Sequence, residues 1–199
     1  MKLSLTQMPE LKEAILSLSA QEKDKLLVRL IAKDQLLIKQ LHFKLLEDDL
    51  DLQARTSELK NRITESFVFL VKQASRYSEH KKYDAVNNHA RQLNGWVNEH
   101  ASITKDKVSE FELRLLILEL CFTNFPDFYM LHFPNISAEK HFDYLVARLK
   151  PILALYDKFH PDLQYDYKEN LLFVLEFTLN SSLSLKLDEK ELDVTHYFD

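Results

Sequence analysis

A single glycine, Gly95, is present in the 199 residues of this chain. Phosphate-binding loops, dinucleotide-binding fingerprints and nucleophile elbows each require several glycines, because the backbone must turn sharply or approach a ligand closely. Two-residue β-hairpins are disfavoured for a related reason, since their turns need residues with positive φ. The sequence therefore predicts an all-α protein of about eight to ten antiparallel helices, arranged as an irregular bundle or a short α-solenoid.

The length and composition predict a folded protein with a sizeable core. Apolar residues make up 46% of the chain and charged residues 29%, which is the balance of a globular domain rather than a disordered one. The length suits a single helical domain over residues 1–199. The alternative is a subdivision into an N-terminal helical subdomain, 1–98, and an aromatic-rich C-terminal helical subdomain, 104–199.

Charge and apolar runs limit the expected partners and location. The net charge of −5 argues against a general nucleic-acid binder, which needs a basic surplus. Charged residues interrupt every apolar stretch before it reaches membrane-spanning length, and the N-terminus has no apolar signal core. The lone cysteine, Cys121, allows no intramolecular disulfide, which suits a reducing compartment. We therefore expect a cytoplasmic protein that contacts neither nucleic acid nor membrane.

One local basic stretch is interpreted as a solvated helix face: Lys23, Lys25, Arg29 and Lys33.

Capping signals predict three short helices before residue 50. Ser19 and Glu22 form a capping box, in which each side chain bonds a free amide at the start of the second helix. Asp34 can cap a third helix. The acidic stretch 47–51 opposes a helix C-terminus and favours the next N-terminus, so a boundary is expected there.

The same N-terminal region carries a leucine-rich pattern. It reads Leu11-x3-Ile15-x2-Leu18-Ser19-x2-Glu22, followed by Leu26-Leu27-x2-Leu30. This pattern resembles uncharacterised all-helical bacterial proteins. The resemblance implies a helical fold and does not imply any activity.

Two longer helices are predicted around a polar link at residues 78–82. The first covers about residues 50–79, and the second begins near Tyr83 with Gly95 either inside it or at its C-terminal cap. The link carries the pattern Tyr77-x5-Tyr83-x2-Val86-x3-Ala90-x2-Leu93.

This pattern resembles the inter-helix turn of a tetratricopeptide repeat, and the resemblance implies that Tyr77 and Tyr83 pack across the turn. Lys81 stands where that family prefers glycine, and no second copy occurs at the family's period of about 34 residues. A generic antiparallel helix pair is therefore the alternative.

The second half begins with a helix expected to be central. Thr104 is predicted to cap this sixth helix, whose run from Leu113 to Phe122 is nearly all apolar. Pro126 and Pro134 bracket a short aromatic piece, Phe128-Tyr129-Met130-Leu131-His132-Phe133.

Further prolines divide the remainder of the chain. Ser137 is expected to begin the next helix, Pro151 should kink or break it, and Pro161 should begin the last long helix. The acidic residues 187–199 are expected to be frayed or loosely docked.

The residues capable of metal or nucleophilic chemistry form no recognisable site. No two of the eight histidines lie three or four positions apart, which argues against a helical two-histidine zinc site. His80 and Asp84 are one helical turn apart, and we interpret them as surface residues at a turn. Cys121 stands in an apolar run and is interpreted as a buried structural thiol. We predict no catalytic, cofactor-binding or metal-ligating residue and no cofactor.

Pairs that could support acid–base chemistry have equally plain interpretations. Three carboxylate pairs at helical spacing are interpreted as solvated faces: Glu139/Asp143, Asp162/Asp166 and Glu189/Asp193. Arg76 with His80 and Arg91 with His100 do not have the spacing of Arg-x4–6-His helical ribonucleases.

Two functional hypotheses follow. The favoured one is a non-enzymatic helical interaction module that holds another protein or a copy of itself. The alternative is an enzyme or small-ligand-binding protein that uses the aromatic-rich C-terminal half, where 122–177 could line a groove or simply fill a core.

Overall fold

A computed structural model describes residues 5–130 and 135–198. Within these residues the chain contains nine α-helices, three short 3₁₀ helices and no strands. The predicted all-α fold is therefore confirmed. The chain divides into two compact units, Met1–Asp48 and Asp49–Asp199. The division lies at the acidic stretch 47–51 and not near residues 98–104, which are the last turns of one continuous helix.

The first unit contains three short helices with the predicted caps. They are α1 (Pro9–Ser17), α2 (Ala20–Ile31) and α3 (Gln35–Leu46), preceded by a 3₁₀ turn at Leu5–Gln7. The Glu22 amide donates to Ser19 Oγ over 3.3 Å, and the Ser19 amide donates to Glu22 Oε2 over 2.9 Å. Asp34 Oδ1 accepts a hydrogen bond from the Leu37 amide. Both predicted caps are thus formed.

The second unit is built around one helix. Its helices are α4 (Asp49–Ala74), α5 (Glu79–Thr104), α6 (Lys107–Asn124), α7 (Ile136–Tyr156), α8 (Pro161–Leu179) and α9 (Ser184–Glu189), with 3₁₀ turns at Pro126–Tyr129 and Thr195–Phe198. The central helix, α6, contacts α4, α5, α7 and α8. Its apolar run is buried on several faces, as predicted, because helices surround it. Residues 131–133 and Pro134 of the predicted aromatic piece lie outside the described residues.

Two predicted helix starts are wrong. α4 ends at Ala74 and α5 begins at Glu79 after an extended Ser78, so the turn lies about one helical turn earlier than expected. Thr104 does not cap α6. Its hydroxyl instead donates to the His100 carbonyl, and Lys105 then adopts φ 58°. The cap passes to Asp106, whose carboxylate accepts from the Ser109 amide over 2.7 Å.

Pro151 does not break its helix. It lies inside α7, which continues to Tyr156. A proline removes one backbone donor and crowds the preceding turn. Leu149, Ile152 and Leu153 are all buried beside it, so core packing on both sides holds the helix together. Pro161 begins α8 as predicted.

The C-terminal segment is docked rather than loose. Leu187 and Val194 are buried in the core of the second unit. Tyr197 donates to Asp157 Oδ1 over 2.8 Å. Burial of these apolar side chains, together with this hydrogen bond, stabilises the docked segment despite its acidic composition.

Aromatic rings fill the core around α6. Phe122 stacks on Phe177 at 4.5 Å between ring centroids, and Phe111 lies 5.3 Å from Tyr167. Among the described aromatic residues of the second half few are exposed; Tyr165 and Phe173 are two of them. Core filling therefore accounts for most of the aromatic content of 122–177.

Candidate functional site

Cys121 has the environment of a structural thiol. It is fully buried in α6, and burial raises the pKa of the thiol to about 12. A thiol is nucleophilic only as the thiolate. The predicted burial of Cys121 is confirmed, and the raised pKa keeps the thiol protonated near pH 7.

Several histidines are used in packing. His141 Nε2 lies 2.9 Å from the Tyr129 hydroxyl, His100 Nε2 lies 2.9 Å from Ser109 Oγ, and His89 Nε2 lies 3.0 Å from Ser66 Oγ. Burial lowers the pKa of all three, with the Arg91 charge contributing at His141, whose pKa falls to about 3. They are therefore neutral hydrogen-bonding groups near pH 7.

No metal centre is assembled within 5–130 and 135–198. There, no three side chains among His, Cys, Asp and Glu lie together as ligands could. His80 and Asp84 both lie on the exposed surface of the first two turns of α5. His132 lies outside the described residues.

The carboxylate pairs singled out from sequence do not form an acid–base site. Asp162 and Asp166 are exposed. Glu139 is not simply solvated, because it pairs with Lys186 Nζ at 2.5 Å, and Asp143 pairs with Lys190 Nζ at 3.0 Å. These ion pairs attach the C-terminal segment to α7.

A different pair of carboxylates lines a cleft between α4, α6 and α8. We call this the Glu112 cleft; it has a volume of about 240 Å³ and is lined by Lys60, Glu112, Leu115, Leu116, Glu119, Tyr167 and Asn170. Glu112 and Glu119 are seven residues apart on α6, which places them on one face about 10 Å apart along the helix axis. In the sequence, only this seven-residue spacing indicates that Glu112 and Glu119 share a helix face. The pair is not among the carboxylates spaced three or four residues apart.

The two carboxylates of the Glu112 cleft have unlike surroundings. Glu112 pairs with Lys60 Nζ at 2.7 Å and accepts a hydrogen bond from the Tyr167 hydroxyl at 2.5 Å. Burial raises the pKa of Glu119, and this effect exceeds the opposing hydrogen bond with Asn170. Burial and the Glu112 hydrogen bond raise the pKa of Tyr167. Two carboxyl groups in different environments can divide acid and base roles.

A basic cleft lies between α5 and α7. We call it the Arg91–Arg148 surface; its volume is about 530 Å³ and it is lined by Asn87, Arg91, Lys140, Asp143, Tyr144, Ala147 and Arg148. The guanidinium carbons of Arg91 and Arg148 lie 4.4 and 5.1 Å from the Tyr144 ring centroid. Guanidinium groups bind aromatic faces in this way and keep their N–H donors available.

The first unit presents a large apolar surface. None of its described side chains, residues 6–48, is buried. Ten large apolar residues there are exposed: Met8, Leu11, Leu16, Leu27, Val28, Leu30, Leu36, Ile38, Leu45 and Leu46. We call these ten residues the N-terminal apolar surface. Exposed apolar side chains mark interaction sites where they form contiguous patches larger than a few hundred Å².

Comparison with known protein families, curated proteins and solved structures returned no match. The resemblances drawn from the N-terminal pattern and from the Tyr77–Leu93 turn therefore stay predictions. No helix in the described part of the chain combines the length and the apolar character needed to cross a bilayer.

Proposed function

We propose that this chain is a non-enzymatic interaction protein that self-associates through the N-terminal apolar surface. The observation that carries this proposal is the complete lack of buried side chains in residues 6–48, despite their leucine-rich composition. Apolar side chains left in water forgo about 25 cal/mol for each Å² that burial would remove.

The three N-terminal helices are too short to be stable by themselves. α1 has 9 residues, and α2 and α3 have 12 each. Isolated helices shorter than about 12–15 residues are marginal in water, so most of their stability must come from packing an apolar face. A partner that covers Leu27 and Leu30 on α2 would supply that packing.

Charge favours a second copy of this unit as the partner. Met1–Asp48 carries eight basic residues (Lys and Arg) and seven acidic residues (Asp and Glu). Residues 49–199 carry eighteen basic and twenty-four acidic residues. Two nearly neutral, leucine-rich surfaces can approach one another without repulsion. A two-fold interface uses the same patch on both copies, which a self-complementary surface satisfies.

The proposal is tested by measuring the mass of the full chain by sedimentation over a range of micromolar concentrations. The wild type should form a dimer or higher oligomer, and the double variant Leu27→Gln/Leu30→Gln should shift to monomer. Both residues are exposed, at 57% and 53%, so their loss leaves the core intact.

The matched control is Leu185→Gln, which removes an equally exposed leucine, at 61%, from α9 of the second unit. This variant should sediment with the same oligomer mass as the wild type. A wild type that is monomeric at every concentration would overturn the proposal. So would dissociation caused equally by Leu185→Gln.

The Glu112 cleft supports a second candidate function, a small-ligand-binding protein or enzyme using residues of the C-terminal half. The supporting observation is the pair of unlike carboxylates, Glu112 and Glu119, beside the Tyr167 hydroxyl. Crystals soaked in a set of small polar molecules provide the test. Density between the two carboxylates, lost in Glu119→Ala, favours this candidate; an empty cleft throughout argues against it.

A further inference from the structure

The Arg91–Arg148 surface concentrates positive charge on the facing sides of two helices. Asn87 and Arg91 are one turn apart on α5, and Lys140, Tyr144 and Arg148 follow at successive turns of α7. Within the described chain, no carboxylate forms an ion pair with Arg91, Lys140 or Arg148. Cations gathered at one place repel one another unless an anion joins them.

The one acidic residue of this cleft is already neutralised. Asp143 Oδ1 lies 3.0 Å from Lys190 Nζ. Elsewhere in the same unit a partly buried arginine is paired with an acid: Arg114 donates to Glu110 at 2.7 Å and to Asn98 at 2.8 Å. Arg91 and Arg148 differ from Arg114 because their charge is left without an acid.

Two buried polar atoms of the cleft have no hydrogen-bond partner within the described chain: Arg148 Nε and Asn87 Oδ1. The first is a donor that needs an acceptor, and the second is an acceptor that needs a donor. Leaving such atoms unsatisfied costs about 1–3 kcal/mol each. A group that carries both an anionic oxygen and a hydroxyl would satisfy both.

We infer that the Arg91–Arg148 surface binds a phosphate group. Guanidinium forks match the oxygens of phosphate, and Lys140 adds a third positive charge. Both atoms are buried, so binding requires the Asn87 and Arg148 side chains to shift; hydrogen phosphate then offers acceptor oxygens to Arg148 Nε and one O–H to Asn87 Oδ1. Sulfate offers acceptors only, so the site should prefer phosphate. This inference is independent of self-association, because it uses no residue of Met1–Asp48.

Calorimetric titration of the full chain in a phosphate-free buffer tests the inference, with inorganic phosphate, sulfate and glycerol phosphate as the probes. Phosphate should bind more tightly than sulfate and raise the melting temperature. Binding of glycerol phosphate would identify a phosphate monoester as the ligand, and binding of inorganic phosphate alone would identify the free ion.

Three variants locate the site. Arg148→Gln should weaken phosphate binding about tenfold or more, as expected when one charge-assisted contact is lost. Arg148→Lys should recover only part of this affinity, since lysine keeps the charge but has no fork. Asn87→Ala should reduce the preference for phosphate over sulfate.

The matched control is Lys150→Gln, which removes one exposed positive charge from α7 outside the cleft. It should leave phosphate affinity unchanged. The inference is overturned if phosphate neither binds nor raises the melting temperature of the wild type; bridging water would then account for the two unpaired atoms. An equal loss of phosphate affinity in Lys150→Gln would also overturn the inference, because it would show that binding depends only on the net charge of the protein.

Discussion

The ring of Tyr83 lies 4.3 Å from the ring of Phe128, between centroids, and its hydroxyl donates to the Phe128 carbonyl over 3.3 Å. Tyr83 is 1% exposed, and burial raises its pKa to about 12. The residue therefore joins the start of α5 to the 3₁₀ turn at Pro126–Tyr129, far along the chain. Tyr77 is 38% exposed, and within the described residues its ring contacts no other aromatic ring, so the expected ring contact of the two tyrosines across the turn is not formed.

Tyr83→Ala should destabilise the fold strongly. Truncating a buried large aromatic costs about 3–5 kcal/mol, a large part of a typical domain stability of about 5–15 kcal/mol. Urea unfolding followed by circular dichroism measures the change. Tyr77→Ala and Lys81→Ala, at the exposed side of the same turn, should each change the free energy of unfolding by less than about 1 kcal/mol. Equal effects of Tyr83→Ala and Tyr77→Ala would contradict this assignment.

Gly95→Ala should stabilise the protein. Gly95 lies inside α5, its φ is not positive, and a Cβ built on it would meet no atom within 4 Å. Replacing an interior helix glycine by alanine gains about 1 kcal/mol, because alanine loses less backbone entropy on folding. The melting temperature should rise. A fall in the melting temperature of Gly95→Ala would contradict this prediction.

Stability should decrease as the pH falls from about 7.5 to about 5.5. The pKa of His141 is lowered to about 3 in the native state, whereas the unfolded chain has a histidine pKa near 6.5. Between these values the unfolded state binds the proton and the native state does not. The contribution of neutral His141 to the free energy of unfolding is therefore fully present above the unfolded pKa. It is lost as the pH falls, by up to about 1.4 kcal/mol per pH unit.

His89 and His100, whose pKa values are also lowered, add to the same slope. Urea unfolding at several pH values measures it. His141→Gln should lower stability at every pH but reduce the slope. A free energy of unfolding that is constant over this range would show that His141 protonates within the native state.

Some features of this protein follow from sequence because they depend on neighbours within one helical turn. The Ser19–Glu22 capping box, the Asp34 cap and the Pro161 start all involve residues at most four positions apart, and each is formed as predicted. The central position of α6 also follows, since a helix that is apolar on nearly all sides must be surrounded.

Other features of the structure depend on tertiary packing. Pro151 stays helical because buried neighbours on both sides offset its local penalty. Glu112 meets Lys60 and Tyr167, and Arg91 meets Tyr144, across separations of about fifty residues or more in sequence. Helical periodicity determines which face of a helix a residue occupies, but not which other helix lies against that face. That choice depends on how whole apolar surfaces pack together, so these charged clefts become visible only in the folded chain.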